Sequence, residues 1–492
     1  MSNNNDRKKV SALDFFCIGF GAIVGVGWAV SINNWMVNSG GPVPAGLGYL
    51  FALIMMVPIA LCYCELVPML PVAGGGMAFA YKAFNQHVAV LSGWAAFGAF
   101  VAIIPWEAIQ ITTVLNYLIP GIKSGTPLYT VRGEPIFLIT IIIGTICSFL
   151  LFALNMRGLA SAAFVQKILC VMLVAIGVVG AIAAVVGGGS IENLQPYYDN
   201  TVKEGLSHNS MFGGVLAILA TAPFFLAGFE TIPQGVEEAG GDIAAVGKTV
   251  VLSVALACIF YAMLLFCFGA GMPWHEFYGL DRPCSANLFY EVYGNGALGT
   301  FLYWLLVIGA MAGLFTTWNG FFMASACLLM GMARGRLMPG IFAKQNARGI
   351  PVPGLIVVLV LSLIGPFVGV GLIDDVTCFS GTAFVLSWFL TSCSLVALRK
   401  KHPNWHRPYK IPGGIGMGMF SAIFSGIVLV GTFIPSVPFY AGALATKMFF
   451  GWLFIGLVLY IASSGQRRAI PKEEREAAMF ENVAAANEEL ID

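Results

Sequence analysis

Charged residues are scarce in this chain of 492 residues: Asp, Glu, Lys and Arg make up only 10% of it, against 58% hydrophobic residues. A soluble chain of this length needs far more charge to cover its surface. The composition therefore indicates a membrane protein. The net charge of +1 gives no reason to expect a nucleic acid partner.

The patterns of metal sites, disulfides and cofactor sites are also missing. The five histidines lie near helix ends or in loops, at His87, His208, His275, His402 and His406. A respiratory subunit or membrane-embedded enzyme would need paired ligands or a catalytic cluster inside the helices. Ten of the eleven cysteines fall in apolar runs, which leaves no loop pair for a disulfide. We therefore expect no enzyme, no cofactor and no metal, and the absence of a filter motif disfavours a channel.

Long apolar runs make up most of the chain. A membrane-spanning helix needs about 20 such residues, and the sequence offers twelve candidates. They begin near Ser11, Val43, Val88, Pro135, Leu159, Met211, Ala245, Ala297, Pro353, Leu372, Gly413 and Ala441. The first run lacks a small-residue cleavage site, so we expect it to be retained. The predicted fold class is an all-α membrane protein with twelve transmembrane helices.

The distribution of lysine and arginine predicts the orientation. If both termini are cytoplasmic, 20 of the 25 basic residues lie in cytoplasmic segments and 5 outside. Such a bias is typical of cytoplasmic loops. We expect a multi-pass protein of the plasma membrane, specifically a bacterial inner membrane, with lipid around it.

Two of the candidate helices carry a break in their middles, at Gly25-Val26-Gly27 and at Leu226-Ala227-Gly228-Phe229. A broken helix frees backbone N–H and C=O groups, which is tolerated only inside protein or beside a water-filled cavity. Two such helices at matching positions of two halves indicate a secondary transporter built from inverted repeats.

The domain organisation follows from this pattern. We predict a cytoplasmic N-terminus at 1–10, a first five-helix repeat at 11–187 and a second at 211–398. Helices 11 and 12 occupy 413–465, and a cytoplasmic tail occupies 466–492. The tail is charged and alanine-rich, which predicts a short helix or a disordered segment.

Five motifs in order resemble the amino acid–polyamine–organocation (APC) family of transporters. They are Gly21 to Gly27; Cys64-Glu65-Leu66 through Pro71 to Gly76 and Tyr81; Gly228-Phe229-Glu230 with Glu237-Glu238; Ala333 to Pro339 with Gly349 to Pro353; and Arg407 to Pro412. The resemblance covers about Ser11 to Ile461. It implies a leucine-transporter-like fold of five plus five helices, with helices 1 and 6 broken. It also implies transport of amino acids or related amines by alternating access, as a symporter or an exchanger.

The first break predicts the site for a substrate carboxylate. The half-helix after Gly25 would present the N–H groups of Val26, Gly27 and Trp28 with a positive dipole end. The same glycines could instead only allow close helix packing. Val26 and Trp28 are larger than the residues common in the family, which would narrow the substrate range.

The second break and two neighbouring helices supply further candidates. Carbonyls near Phe224 and Ala227 could accept hydrogen bonds from a substrate ammonium, and the resemblance makes Phe224 an aromatic gate. Phe321, a family pocket position, and Trp318 lie three apart and share one helical face. Core packing remains an alternative for these aromatic residues.

Glu107 and Glu230 are the carboxylates that the pattern singles out. Glu107 lies far from both ends of the third helix, where a carboxylate is costly unless it is paired or faces a cavity. It could hold a distal amine of the substrate or carry a proton. For Glu230 the resemblance implies gating or proton sensing, while bridging of the unwound backbone is the structural alternative.

Coupling to H⁺ or Na⁺ stays open. Carbonyls of Gly21 and Val24 with Thr316 or Thr317 could form a cation site, although a membrane threonine often bonds only its own helix. Some proton-coupled members carry a lysine where Leu173 stands, and Lys167 lies nearly two turns earlier. Proton coupling through a lysine is therefore doubtful.

The substrate also stays open at this point. A pocket carboxylate favours a cationic amino acid or a polyamine, and a neutral amino acid is the alternative. A substrate sensor on the same fold is an alternative of another class, but it would usually carry a long cytoplasmic extension.

Overall fold

The computed structural model describes residues 10–119, 121–122, 125–206, 208–281 and 283–484. Most of them are helical. The α-helices are α1 Ala12–Ile23, α2 Gly27–Val30, α3 Ile32–Ser39, α4 Pro42–Met69, α5 Gly76–Ala83, α6 Gln86–Leu118, α7 Leu138–Asn155, α8 Leu159–Gly188, α9 Met211–Ala217, α10 Ala222–Phe225, α11 Thr231–Gln234, α12 Ile243–Gly271, α13 Trp274–Phe277, α14 Cys284–Tyr293, α15 Ala297–Arg334, α16 Val352–Val368, α17 Ile373–Lys401, α18 Gly414–Gly431, α19 Ala443–Ala462, α20 Ser464–Ala469 and α21 Lys472–Ala484. The strands β1 Tyr129–Val131 and β2 Glu134–Ile136 form an antiparallel hairpin. Of the predicted N-terminal segment only Val10 is described, and residues 485–492 of the predicted tail lie outside the described part.

Ten helical segments in the described part are long and apolar enough to cross a membrane. The other two of the twelve candidates correspond to shorter apolar helices, Met211–Ala220 and Val352–Val368. The first is short because the sixth candidate breaks before its end. The second ends at Gly369, whose φ of 65° leaves the helical region. The protein is thus an all-helical, multi-span membrane protein.

The two ends of the described chain lie on one face of the helical bundle. Val10 pairs with Ala239 in an isolated parallel bridge, and the N–H of Val10 donates to Glu238. At the other end, Met479 of α21 packs at Gly335, directly after α15. We call this side the N-terminal face and the opposite side the far face.

The helices pack in a regular set of pairs. The contacting pairs among the long helices include α4 with α12, α6 with α15, α7 with α16, α6 with α17, α8 with α15, α6 with α16, α7 with α15, α8 with α12 and α4 with α17. The broken segments join them through contacts of α1 with α12 and α8, and of α9 with α4 and α10 with α17. The broken segments therefore lie between the long helices.

A buried ion cluster closes part of the N-terminal face. The fully buried Glu65 of α4 pairs with Arg399 at the end of α17, whose Nε donates to Oε1 over 2.8 Å. Nε of Arg407 lies 3.1 Å from the same oxygen, and the N–H of Ile411 donates to Oε2 over 2.9 Å. The cluster fixes the loop after α17 to the end of α4.

The last helix, α21, folds back onto the N-terminal face. Its Met479 and Phe480 are buried, and Phe480 packs beside Tyr81 of α5 with ring centroids 6.1 Å apart. Nζ of Lys82 lies 4.7 Å from the centroid of the Phe480 ring. Of the two structures predicted for the tail, helix is therefore what the described part adopts.

Candidate functional site

The first break interrupts the hydrogen-bond ladder between α1 and α2. Val24 still donates to the carbonyl of Phe20, but its ψ of 81° leaves the helix. The ladder resumes when the N–H groups of Ala29 and Val30 donate to Val26. Among the described residues, the N–H groups at 26–28 have no hydrogen-bond acceptor. The segment therefore keeps three free donors at the start of a helical turn.

The second break lies between α10 and α11 and is held by the side chain of Glu230. Its Oε2 accepts the N–H of Gly228 over 2.8 Å, and its Oε1 accepts the indole N–H of Trp388 in α17. The hydroxyl of Thr231 donates to the carbonyl of Gly228 over 2.6 Å. The geometry of Glu230 thus matches the bridging alternative, and gating stays a prediction for it.

The two breaks touch each other. Gly228 has a φ of 143°, and a Cβ on it would lie 2.6 Å from the carbonyl carbon of Ala22. Only glycine permits this approach. The end of α1 is also stabilised by Tyr261 of α12, whose hydroxyl donates to the carbonyl of Ile23 over 2.9 Å. The breaks thus bring free or side-chain-paired backbone groups together in the interior.

A small cavity lies beside the first break, with a volume of about 10 Å³. Its walls come from α1, the break, α6, α10 and α15. The lining residues are Ala22, Ile23, Gly25, Gly27, Ile103, Trp106, Glu107, Phe224, Phe225 and Thr317. Within this lining Glu107 is the one ionisable side chain. No group of three or more His, Cys, Asp or Glu that could hold a metal occurs among the described residues.

Glu107 is the most unusual group in the cavity. It is 2% exposed, and its Oε2 has no hydrogen-bond partner among the described residues. Its Oε1 faces the break, because a Cβ added to Gly25 would lie 3.3 Å from it. A buried carboxyl oxygen without a partner is costly, so its orientation toward a cavity needs a ligand or a proton to balance it.

Aromatic rings close the cavity toward the far face. The ring of Trp106 lies 5.3 Å from that of Phe224 and 6.1 Å from that of Phe225. Phe225 packs against Trp35 of α3 at 4.8 Å, and Trp35 packs against Tyr261 at 5.3 Å. These contacts, three of them edge-to-face, make a continuous lid between the cavity and the far face.

A second cavity lies between the breaks and the N-terminal face, with a volume of about 20 Å³. Polar side chains of α8, α11 and α15 line part of it, namely Gln166, Thr231, Gln234 and Asn319. Nδ2 of Asn319 donates to Oε1 of Gln166 over 3.0 Å. These amides give the second cavity a hydrogen-bonding wall inside an otherwise apolar bundle.

The N-terminal face is closed below this second cavity. Oε1 of Glu237 accepts hydrogen bonds from Arg334 over 2.7 Å and from the N–H of Ala73 over 2.8 Å. Oε1 of Gln234 accepts the N–H of Gly74 over 3.0 Å. These bonds tie the ends of α11 and α15 to the loop before α5. Both cavities are therefore separated from both faces.

The structure brings some of the predicted site residues together and leaves others apart. The cavity beside the first break is lined by four of them, Gly27, Glu107, Phe224 and Thr317. The predicted residues outside its lining are Val26, Trp28, Ala227, Trp318 and Phe321, all of them buried. Their binding roles stay predictions.

The aromatic residues outside the lining pack against other helices. The Trp28 ring lies 6.5 Å from Phe268 of α12. Trp318 stacks with Phe315 of its own helix at 6.3 Å. Phe321 lies 5.3 Å from Phe100 of α6. In this conformation the rings of Trp28 and Phe321 contact neighbouring helices, whereas that of Trp318 stacks within its own helix.

The candidate cation site has two of its groups side by side. The hydroxyl of Thr317 lies 3.4 Å from the carbonyl oxygen of Gly21, and Val24 is fully buried nearby in the break. The neighbouring Thr316 donates to Gly313 of its own helix over 2.8 Å. Thr317 thus faces the first break, whereas Thr316 bonds locally.

Sequence reasoning missed three residues at the site: Phe225, Tyr261 and Trp388. Phe225 stands next to Phe224 before the same break, and nothing in the local sequence separates the two phenylalanines. Tyr261 and Trp388 bring a polar group into the middle of apolar helices. Such isolated donors, opposite two predicted breaks, are the signal that could have found them.

Comparison with known proteins identifies the family. The amino acid permease family model matches residues 10–460. The chain is 23% identical to the branched-chain amino acid permease BcaP of Bacillus subtilis, over 93% of each chain. It is 23% identical to the aspartate-proton symporter of the same organism, over 96% of this chain and 86% of the relative. It is 25% identical to the vacuolar cationic amino acid transporter 4 of Arabidopsis thaliana, over 72% of this chain and 57% of the relative. These are permeases and transporters rather than enzymes, and this chain belongs to the amino acid permease family.

Proposed function

We propose that this permease is a secondary active transporter that binds its substrate beside Glu107 and moves it by alternating access. The substrate class is an amino acid or related amine, with a cationic amino acid or a polyamine favoured. The free N–H groups at 26–28 would hold the carboxylate of an amino acid. A polyamine has no carboxylate, so with this substrate water would bind those N–H groups. The observation that carries the proposal is the unpartnered, buried Oε2 of Glu107 beside those donors.

A cationic substrate matches the charge of this cavity. Since Glu107 is the one ionisable group of the lining, an ionised carboxylate there has no protein cation beside it in that wall. A substrate amine would neutralise it and form a charge-assisted hydrogen bond. The plant relative is named as a cationic amino acid transporter, which is compatible with a cationic substrate.

The packing pairs support the inverted-repeat organisation with twelve helices. Let the segments from α1 to α8 form one half and those from α9 to α17 the other. When the two halves are exchanged, α4 corresponds to α12, α6 to α15, α7 to α16 and α8 to α17. The contact of α6 with α17 then becomes that of α15 with α8, and the contact of α8 with α12 becomes that of α17 with α4. The pairs α4 with α12, α6 with α15 and α7 with α16 convert into themselves. A pseudo-two-fold relation between residues 11–187 and 211–398 accounts for this pattern.

The closed faces fit an occluded step of alternating access. The aromatic lid around Phe225 would open toward the far face, and the bonds of Gln234 and Glu237 would open toward the N-terminal face. The distribution of basic residues favours a cytoplasmic N-terminal face in a bacterial cell. In this orientation the second cavity is the inner part of the pathway.

A neutral amino acid is the second candidate. The walls of the cavity are mostly apolar and include Ile103, Trp106, Phe224 and Phe225. Such walls suit a branched apolar side chain, and one relative is named as a branched-chain amino acid permease. In that case Glu107 carries a proton, and coupling is to H⁺. The candidate cation site at Gly21, Val24 and Thr317 would instead couple transport to Na⁺.

Uptake into proteoliposomes tests the proposal. Proteoliposomes that contain the purified protein are loaded with unlabelled arginine, putrescine or leucine. Exchange of the internal compound for the labelled compound outside is followed at several pH values. We expect arginine or putrescine to exchange, and Glu107→Gln to weaken their binding about tenfold or more, because a charge-assisted bond is lost. Binding of leucine alone, with a pH profile that flattens in Glu107→Gln, would establish the neutral candidate. Ligand binding without any exchange would identify a sensor.

A further inference from the structure

A groove on the N-terminal face continues into the membrane-embedded surface of the protein. Its outer part has about 1080 Å³ of space that is open to solvent, between α5, α21 and the loop after α17. Its inner part has about 470 Å³ between α6 and α19. His87 lines both parts, so the two parts of the groove meet at this residue.

The outer part of the groove is basic. Lys82, Lys472 and Arg475 line it, with Glu476 as the one acidic side chain of the described lining. Oε1 of Glu476 lies 3.4 Å from Nζ of Lys472, so three cations share one carboxylate. His402 also lines it, and its pKa is lowered by burial and by the nearby charges of Lys401, Lys82 and Arg407. This pKa shift agrees with a positive potential in the groove. The site therefore favours an anion.

Arg475 retains hydrogen-bonding capacity at this wall. It is 8% exposed, and its Nη1 reaches Oε1 of Gln86 only over 3.4 Å. Its Nε has no hydrogen-bond partner among the described residues. A guanidinium has five N–H donors, so this buried arginine can still donate to a phosphate.

The inner part of the groove is apolar. Leu91 of α6 is 38% exposed and Leu457 of α19 is 52% exposed, and Val90 and Leu453 complete the sides. At the junction with the basic part, the hydroxyl of Tyr460 and Nδ1 of His87 lie 3.0 Å apart. Polar aromatic groups at this depth mark the boundary between headgroups and acyl chains.

We propose that this groove binds an anionic phospholipid. The phosphate contacts Lys82, Lys472 and Arg475, and one acyl chain lies between α6 and α19. A soluble phosphate would use only the basic part, whereas a lipid also uses the apolar continuation. Basic pockets on the cytoplasmic side are suited to anionic headgroups. Since Lys472 and Arg475 belong to α21, the lipid would also hold this helix against α5.

The test is thermal unfolding of the full chain in detergent, titrated with phosphatidylglycerol or phosphatidylcholine. Ligand binding raises the unfolding temperature, so we expect a rise with phosphatidylglycerol that is at least threefold larger than with phosphatidylcholine. Lys472→Gln, an exposed position that can change without unfolding the protein, should weaken the response severalfold. Leu457→Trp, which fills the apolar part, should do the same. Lys344→Gln, an exposed lysine elsewhere on this face, should have no effect.

Three results would overturn the proposal. Equal responses to the two lipids would mean that the charge of the headgroup is not recognised. A response to inorganic phosphate alone, unchanged by Leu457→Trp, would identify a soluble anion as the ligand. A response to phosphatidylglycerol that occurs only after deletion of residues 485–492 would assign the groove to the acidic end of the chain itself.

Discussion

Trp94 and Trp452 each donate an indole hydrogen bond to the other's backbone carbonyl. The bond from Trp94 is 2.7 Å long and that from Trp452 is 2.9 Å. The rings are nearly parallel, at 8°, with centroids 4.7 Å apart. Gly98 permits this approach, because a Cβ there would lie 2.6 Å from Cδ1 of Trp452. The pair fixes α19 to α6, and Trp94 lines the apolar part of the groove.

Replacing either tryptophan tests how strongly this pair stabilises the bundle. Trp94→Phe and Trp452→Phe each lose one indole hydrogen bond and part of the stack, so each should cost about 1–2 kcal/mol in unfolding free energy. The double variant should cost less than the two losses together, because the stack is shared. Thermal unfolding in detergent measures this, with Trp304→Phe at a partly exposed position as the control. Strict additivity would contradict the coupling.

Gly27→Leu should abolish substrate binding while the protein still inserts into the membrane. A Cβ at Gly27 would lie 2.6 Å from the ring of Phe225, so a leucine must displace the lid or fill the space before the free N–H groups. Binding is measured as ligand-induced stabilisation. Gly451→Leu is the matched control, because nothing lies within 4 Å of a Cβ at Gly451. Normal affinity in the Gly27 variant would make the first break purely structural.

Glu230→Gln separates the bridging role of this residue from a role in proton coupling. An amide would turn an NH₂ group toward either Gly228 or Trp388, so one buried donor loses its acceptor. We expect a loss of about 1–3 kcal/mol in stability and slower uptake at every pH, with an unchanged pH profile. Glu473→Gln on the exposed side of α21 is the control. A flattened pH profile would show that Glu230 carries a coupling proton.

Cysteine labelling tests the orientation. We expect Lys203→Cys, on the far face, to react with an impermeant maleimide added to intact cells. Lys410→Cys, in the loop after α17, should react only after the membrane is opened. The native cysteines of the described part are buried or half-buried, and the parent protein gives the background. The reverse labelling pattern would place both termini outside.

The far face should show an acid-dependent loss of stability at Asp199. Hydrogen bonds from Thr201 and His275 lower the pKa of its carboxyl from 3.8 to about 2. The folded state therefore binds this proton less tightly than the unfolded state. Its stabilisation is present above about pH 4 and is lost as the pH falls toward 2. Asp199→Asn should cost at most about 1 kcal/mol at pH 6, because the pair is partly exposed, and about half of that at pH 3. A cost that rises with acid would contradict this assignment.

The backbone breaks were predictable because they depend on local chemistry. Glycines in the middle of an apolar run cannot be explained by a turn at the surface, and Gly25 and Gly228 both lie where the helices stop. Glu107 was predictable for a similar reason, since a carboxylate at that depth needs a cavity or a partner. In each case a few neighbouring residues are enough to show that a polar group is buried in an apolar helix at a free-energy cost.

The directions of the aromatic side chains were not predictable to the same degree. Phe321 was assigned by counting back from Pro339 along one helix, where a shift of one residue turns a side chain by about 100°. Trp28 follows a break, and its direction depends on the dihedral angles of the preceding residues. One partner of Glu230, the indole of Trp388, comes from a helix more than 150 residues away. No local pattern contains that information.

The pairing of Glu65 with Arg399 also sets an order of events during biosynthesis. The partners are 334 residues apart in the chain, and at about 5–20 residues per second the ribosome needs on the order of 20–70 s to make the second after the first. For that time α4 is in the membrane without its arginines. Its carboxylate end must stay among the lipid headgroups, where water can solvate it. Release of α17 and its loop then lets the end of α4 settle into the protein, so the finished N-terminal face is assembled only after nearly the whole chain has been translated.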